Sequence, residues 1–374
     1  MSHRPPAVRD YSLDNIRFLL IFSVVFAHLL EVCSPFAGMW MIYKWIYSFH
    51  MPVFIFLFGY NVKYSLKKIL HRWCIPYVVF QSAYLLFSRI VLKDSLVFQF
   101  ATPYWLLWYM LVCIYYQLLL PLFETDSKRR QATAVLCAFV ISFLVGYEKS
   151  VGNYMSISRF FVFGPWFLLG YYSKKNHLMD RLAIGPKGRF GVAVGALLAM
   201  ACMVPCLSRI PKPLLYGSYA YAKCAGALWM RAMAWGISFL MILFLFAGVK
   251  PYLSKKLILI TTIGQNTWPI FLLHGFVVKA VPVYAPELVR SPWHVILLSC
   301  GNYGKPSEPE VKVYETRAVN RSQQKSPAQQ VAVQGFCVAI TCRRTRERSS
   351  RCSQRTGRTP SAGRLQDRRS RRRR

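Results

Sequence analysis

Arg17 and His28 stand eleven residues apart in an apolar run, residues 16–32, that otherwise reads as a membrane helix. At about 100° per residue that spacing is three turns plus about 20°, so the two side chains share one face, roughly 16 Å apart along the axis. Asp14 lies one turn before Arg17 and Glu31 one turn beyond His28, in the same quadrant. A charge at the bilayer centre costs at least about 2.5 to 3.5 kcal/mol even on lenient insertion scales. Four ionisable groups on one stripe therefore face protein or a wet cavity. A neutral imidazole beside a carboxylate accepts protons near neutral pH, so His28 with Glu31 points to general-base chemistry. Taken alone, Arg17 also suits a snorkelling interfacial anchor, and His28 a buried histidine bonded to a neighbouring helix.

The elements that position this stripe are membrane helices. The chain has 374 residues, 55% of them apolar and 16% aromatic, with a mean hydropathy of +0.30. Repeated apolar runs of about 20 residues are not explained by a soluble core. The expected spans are 16–32, 40–62, 69–92, 104–123, 132–147, 160–172, 191–207, 225–249 and 257–281, and a further one opens at His294. The fold class is all-α, a polytopic membrane protein of about ten helices, the tenth cut off where about 20 residues are needed. The stretch before the first span keeps Asp10 and Asp14 and lacks a basic start and cleavage signature, so that span is expected to be retained.

Basic residues set the expected orientation. Arg4 and Arg9 precede the first span, Lys63, Lys67, Lys68 and Arg72 follow the second, and Lys128, Arg129 and Arg130 follow the fourth. Lys174, Lys175, Arg181, Lys187 and Arg189 follow the sixth, and Lys250, Lys255 and Lys256 the eighth. By the positive-inside rule the N-terminus is cytoplasmic, with Arg17 near that surface and His28 towards the outer half. The eleven cysteines, among them Cys33, Cys74, Cys113, Cys137, Cys202, Cys206 and Cys224, are scattered in or beside apolar runs with no CxxC. They read as packing residues, and no metal is expected.

From Gly301 the chemistry changes. The last 74 residues hold 19 Lys and Arg against 5 Asp and Glu, contain one leucine, Leu365, and end in Arg371 to Arg374. A basic tail of this kind suits anionic lipid or nucleic acid. The reading preferred here is a frame shift near Cys300, because the change cuts the run Trp293 to Ser299 in mid-span. Residues 300–374 are then a basic, disordered segment outside the membrane domain 1–299, and no nucleic-acid partner is expected. Sequencing the coding DNA around codon 300 is expected to show the shift, and an intact frame there overturns it.

"LDNIRFLLIFSVVFAHLLE", with its Arg, ten residues, then His, resembles the opening of acyltransferase family 3, the integral-membrane O-acyltransferases of bacterial envelope sugars. Four later stretches agree: "FHMPVFIFLFGY", "YWLLWYML", "GPWFLLGYY" and "NTWPIFLLHGFVV". The likeness runs from about residue 10 to 299 and is closest to the fucose 4-O-acetylase and capsule O-acetylase branch. Phe58 stands where that family usually has a small hydroxyl residue. Ile69 fills the first position of an RxxR pair whose second is Arg72, with Lys68 beside it.

The resemblance implies transfer of an acyl group, usually acetyl, from cytoplasmic acetyl-CoA or another acyl-CoA to a hydroxyl of an envelope or capsular polysaccharide. The setting it implies is the inner membrane of a bacterium. His28 would be the base and Glu31 its orienting carboxylate, while Arg17, Lys68 and Arg72 would hold the donor's phosphates or arm. His50, Trp105 and His274 are acceptor-side candidates. His50, before Met51 and Pro52, also suits a cap on a broken helix, and His274 a lone histidine on an apolar face. Trp105 and Trp108 suit anchors in an outer aromatic belt. Without the family, the charged stripe fits a transporter or flippase equally well.

Overall fold

The computed structural model describes residues 10–32, 37–94, 99–150, 152–182, 185–218, 220–221 and 226–286. Among them every regular element is helical. The principal helices are α1 (Ser12–Val32), α2 (Ala37–Asn61), α3 (Ile75–Ile90), α4 (Trp108–Leu119) and α5 (Lys128–Leu144). They continue as α6 (Ile157–Lys175), α7 (Gly185–Leu207), α8 (Ala227–Ile242), α9 (Ile258–Gln265) and α10 (Thr267–Tyr284). Among the described residues, seven segments are long and apolar enough to cross a membrane: Ser12–Val32, Met39–Asn61, Trp105–Phe123, Lys128–Tyr147, Gly185–Leu207, Ala227–Leu253 and Thr267–Tyr284. In hydrocarbon the helix satisfies its own backbone, which is why these runs take no other form. Outward-facing Phe22, Leu136, Leu198 and Val277 are each more than half exposed, as a lipid-facing surface requires.

Two expected spans are helical but more polar than those seven. The third is Leu66–Ile69, a π-helical turn Leu70–Cys74, then α3; the sixth is α6, which carries Arg159, Lys174 and Lys175. The expected ninth span is two helices, α9 and α10, parted at Asn266, whose φ of −103° and ψ of 27° leave the α region. The expected tenth span and the basic tail lie outside the described residues.

Close approaches fix the bundle. Gly59 of α2 faces the Phe167 carbonyl of α6, and Gly170 of α6 faces the Phe56 carbonyl of α2, so a Cβ at either position meets backbone. Such reciprocal small residues let two membrane helices touch along their backbones. Pro52, inside α2, has no amide for the Ser48 carbonyl one turn back. The Ser238 hydroxyl of α8 donates to that carbonyl at 2.6 Å instead.

The start of α1 is fastened from below. Asn15, buried, donates to the carbonyls of Leu253 (2.7 Å) and Lys255 (3.0 Å) and accepts from the Thr261 hydroxyl of α9 (2.8 Å). Gly264 of α9 sits directly under the Asp14 carbonyl. On the other side Tyr84 of α3 donates to the Leu272 carbonyl of α10 (2.7 Å) and stacks on Phe276, ring centroids 3.9 Å apart. Thus α1 packs against α2, α9 and α10.

Gly170→Ala is expected to lose about 1 to 3 kcal/mol or more, since its methyl overpacks against a carbonyl that cannot retreat without moving α2. Thermal unfolding of the detergent-solubilised protein checks this, and an unchanged midpoint rejects the α2–α6 contact.

Candidate active site

His28 and Glu31 lie one turn apart on α1, with His28 Nδ1 3.7 Å from Glu31 Oε2. That is too long for a direct hydrogen bond, and Tyr47 of α2 fills the gap. Its hydroxyl is 3.0 Å from His28 Nδ1 and donates to Glu31 Oε2 at 3.0 Å. A phenol has one proton to give and a carboxylate only accepts, so with Tyr47 donating to Glu31, the phenol oxygen accepts from His28 Nδ1–H. That fixes the tautomer of the neutral imidazole and leaves Nε2 with the lone pair. The other carboxylate oxygen, Oε1, accepts from the Tyr216 hydroxyl at 3.2 Å, and Tyr216 lies 2.8 Å from the Tyr43 hydroxyl. Two tyrosines thus hold Glu31, and one of them also holds the histidine.

The imidazole lines a chamber of about 140 Å³ whose walls include Glu31, Tyr47, His50, Trp105, Trp108 and Arg159. The Trp105 ring meets His28 edge-on with centroids 4.6 Å apart. Trp105 has a φ of +34°, a left-handed conformation costing a bulky residue about 1 to 3 kcal/mol. Gln81, fully buried on α3, keeps this corner in place: its Oε1 accepts from the Tyr104 amide at 2.8 Å and its Nε2 donates to the Gln99 carbonyl at 2.8 Å. Trp105 and Trp108 are therefore chamber walls, where the sequence suggested belt anchors.

Two further histidines differ from their simplest sequence readings. His50 lies within a continuous α2 and caps no broken end; Nδ1 donates to the Ile46 carbonyl at 2.8 Å, and its ring packs on Tyr47 at 4.7 Å. His274 is buried but not alone: its ring stacks on His28, centroids 5.5 Å apart, and Nδ1 donates to the Ile270 carbonyl at 3.0 Å. It touches His28 without lining the chamber, and among the described residues its Nε2 has no hydrogen-bond partner.

At the other end of the stripe Arg17 pairs with Asp14 (Nη1 to Oδ1, 2.7 Å), and Gln265 of α9 donates to the second Asp14 oxygen at 3.1 Å. Arg17 lines a cavity of about 380 Å³ together with Lys63, Lys68 and Arg72. Ile69, at the position where an arginine was sought, is turned into the core, and Lys68 takes its place at the cavity wall. Arg72 rides on the π-helical turn, a widened geometry frequent at functional sites.

A third cavity, about 80 Å³ and mostly apolar, lies between these two. It shares Phe54, Trp73, Tyr109 and Trp268 with the basic cavity, and Val24, Met51 and Phe271 with the chamber. The three form a succession along α1: a four-cation mouth, an aromatic neck, and a chamber around His28.

A family model described as an acyltransferase domain matches residues 10–303. The chain belongs to acyltransferase family 3. Comparisons with curated proteins and with solved structures gave no match. An imidazole with a free Nε2 lone pair beside a chamber can accept a proton from a bound group. Tyr47 and Tyr216 were not singled out in the sequence. Tyr47 precedes His50 by three residues and so shares its helix face, a usable signal; Tyr216 sits beyond a four-residue helix, where no periodicity marks it.

Tyr47→Phe is expected to lower the turnover of this acyltransferase about 10- to 100-fold, the worth of one or two buried hydrogen bonds, with the donor KM unchanged. Steady-state kinetics on membranes check this, and a wild-type turnover rejects the relay.

Proposed function

We propose that this acyltransferase moves an acetyl group from acetyl-CoA, or another acyl-CoA, through the membrane to a hydroxyl of an envelope or capsular polysaccharide. The observation that carries the reading is the row of three adjoining cavities, mouth, neck and chamber, beside the Arg17–His28 stripe. The mouth suits the donor's phosphates: Arg17 and Arg72 offer forked donors and Lys63 and Lys68 point charges. The neck suits a long, flexible, weakly polar arm. The chamber offers a base and aromatic walls on which a sugar face can stack.

The chemistry follows from the tautomer. Nε2 of His28 takes the proton of the acceptor hydroxyl as its oxygen attacks the thioester carbonyl. The tetrahedral adduct breaks its C–S bond, and the departing thiolate takes the proton back from the imidazolium. Glu31 acts through Tyr47, stabilising the positive ring while the proton is on it. The Arg17 end is read as cytoplasmic, because Lys63, Lys67, Lys68 and Arg72 follow α2, Lys128, Arg129 and Arg130 open α5, and Lys174 and Lys175 close α6. The membrane is then a bacterial inner membrane, with the acceptor on its far side.

Expression in a strain lacking envelope O-acetyl groups tests this. Acetyl esters on the surface polysaccharide are expected with the wild type, and His28→Ala is expected to reduce them about 10²- to 10⁴-fold, the usual worth of a general base. Full acetylation by His28→Ala removes the base, and substrate movement without ester formation establishes a carrier instead. Separately, Lys68→Ala and Arg72→Ala are each expected to raise the acetyl-CoA KM about tenfold, as loss of a charge-assisted contact does. An unchanged KM in both places the donor elsewhere.

A further inference from the structure

One buried charge takes no part in the stripe on α1. Arg231 of α8 is only 3% exposed, and it lies in a segment long and apolar enough to cross a membrane. Its Nη1 donates to the Ser142 carbonyl of α5 at 3.0 Å, and its guanidinium carbon stands 4.6 Å from the centroid of the Tyr221 ring. Its Nη2 has no hydrogen-bond partner among the described residues, and neither has the buried Tyr221 hydroxyl. A carbonyl and a ring face attract a cation without neutralising it.

Among the described residues no carboxylate neutralises it either. Helices α2, α5, α6 and α8 contain no Asp or Glu, and Arg231 makes no ion pair with any described residue. Glu31 is held by Tyr47 and Tyr216 and does not line the space beside Arg231. An unpaired charge in the membrane interior is costly, and such residues are held by an opposite charge, by backbone carbonyls or by water.

The space beside Arg231 is a cavity of about 20 Å³, lined also by Tyr47, Ser48, Gly217 and apolar side chains such as Val162 and Trp235. It admits about one water-sized particle, which excludes phosphates and sugars. A water molecule there solvates the guanidinium but leaves its charge unopposed. A monatomic anion offsets the charge as well.

We propose that this cavity is a halide site, occupied by chloride as the counter-ion of Arg231. The cavity shares Tyr47, Phe163 and Leu215 with the chamber around His28. Bound chloride therefore braces the meeting of α2, α6 and α8 and adjoins the tyrosine that links His28 to Glu31. The inference concerns anion binding and is independent of which donor or acceptor the enzyme uses.

The test is thermal unfolding of the purified full chain in a neutral detergent, as sodium gluconate is exchanged for sodium chloride at constant ionic strength. The midpoint is expected to rise along a saturating curve by roughly 2 °C or more, as a ligand well above its Kd produces. Bromide is expected to replace chloride, and methanesulfonate, too bulky for the cavity, is not. Arg231→Gln keeps amide donors without the charge, and it is expected to abolish the chloride response. A merely structural arginine would instead lower the midpoint equally in both salts. If Arg231→Gln fails to fold, the anomalous X-ray signal of bromide in crystals of the wild type locates the ion, with a peak beside Arg231 expected. A midpoint indifferent to chloride, an equal response in Arg231→Gln, methanesulfonate acting as well as chloride, or no bromide peak beside Arg231 overturns the proposal.

Discussion

The constraint on which the rest depends is the cost of charge in hydrocarbon. Asp14, Arg17, His28 and Glu31 lie along one stripe of a helix long and apolar enough to cross a membrane. Each must find a partner inside the protein or draw in water, and the bundle around α1 is the solution. Asp14 neutralises Arg17 and is itself held by Gln265 of α9. Glu31 is held by Tyr47 of α2 and by Tyr216 from the segment after α7. The same contacts that satisfy the charges line the cavities.

Keeping those partners in place demands backbone precision, and the fold achieves it with small residues and buried amides. Gly59 and Gly170 bring α2 against α6, which sets where Tyr47 and Arg159 stand relative to each other. Gly264 lets α9 reach the first turn of α1, and Asn15 locks that contact with three hydrogen bonds. Gln81 holds the segment that turns Trp105 into its left-handed conformation beside His28. Ser238 answers the carbonyl that Pro52 abandons, two residues from His50, so α2 stays continuous where the chamber needs it. Packing and site are in this sense one set of interactions.

The stripe itself was legible from residue spacing alone, since helical periodicity and the price of desolvating a charge need no coordinates. So were the helical class and the basic cluster that lines the mouth. Less legible was how the stripe divides. Spacing groups four ionisable residues together, whereas side-chain reach makes two local pairs, Asp14 with Arg17 and, through Tyr47, His28 with Glu31. His274 reads as isolated because its partner, His28, is 246 positions away in the sequence, and stacking across α1 and α10 leaves no local pattern.

Local chemistry along the chain thus settled which segments are helices, which face of α1 is charged, and which end of it meets the cations, because these follow from period, hydropathy and charge within a few turns. It left undecided the imidazole tautomer, the setting of the two tryptophans, and the row of cavities along α1. Those belong to the fold, because each is made by side chains from two or more elements meeting at distances of 3 to 6 Å, and no single stretch of sequence encodes such a meeting.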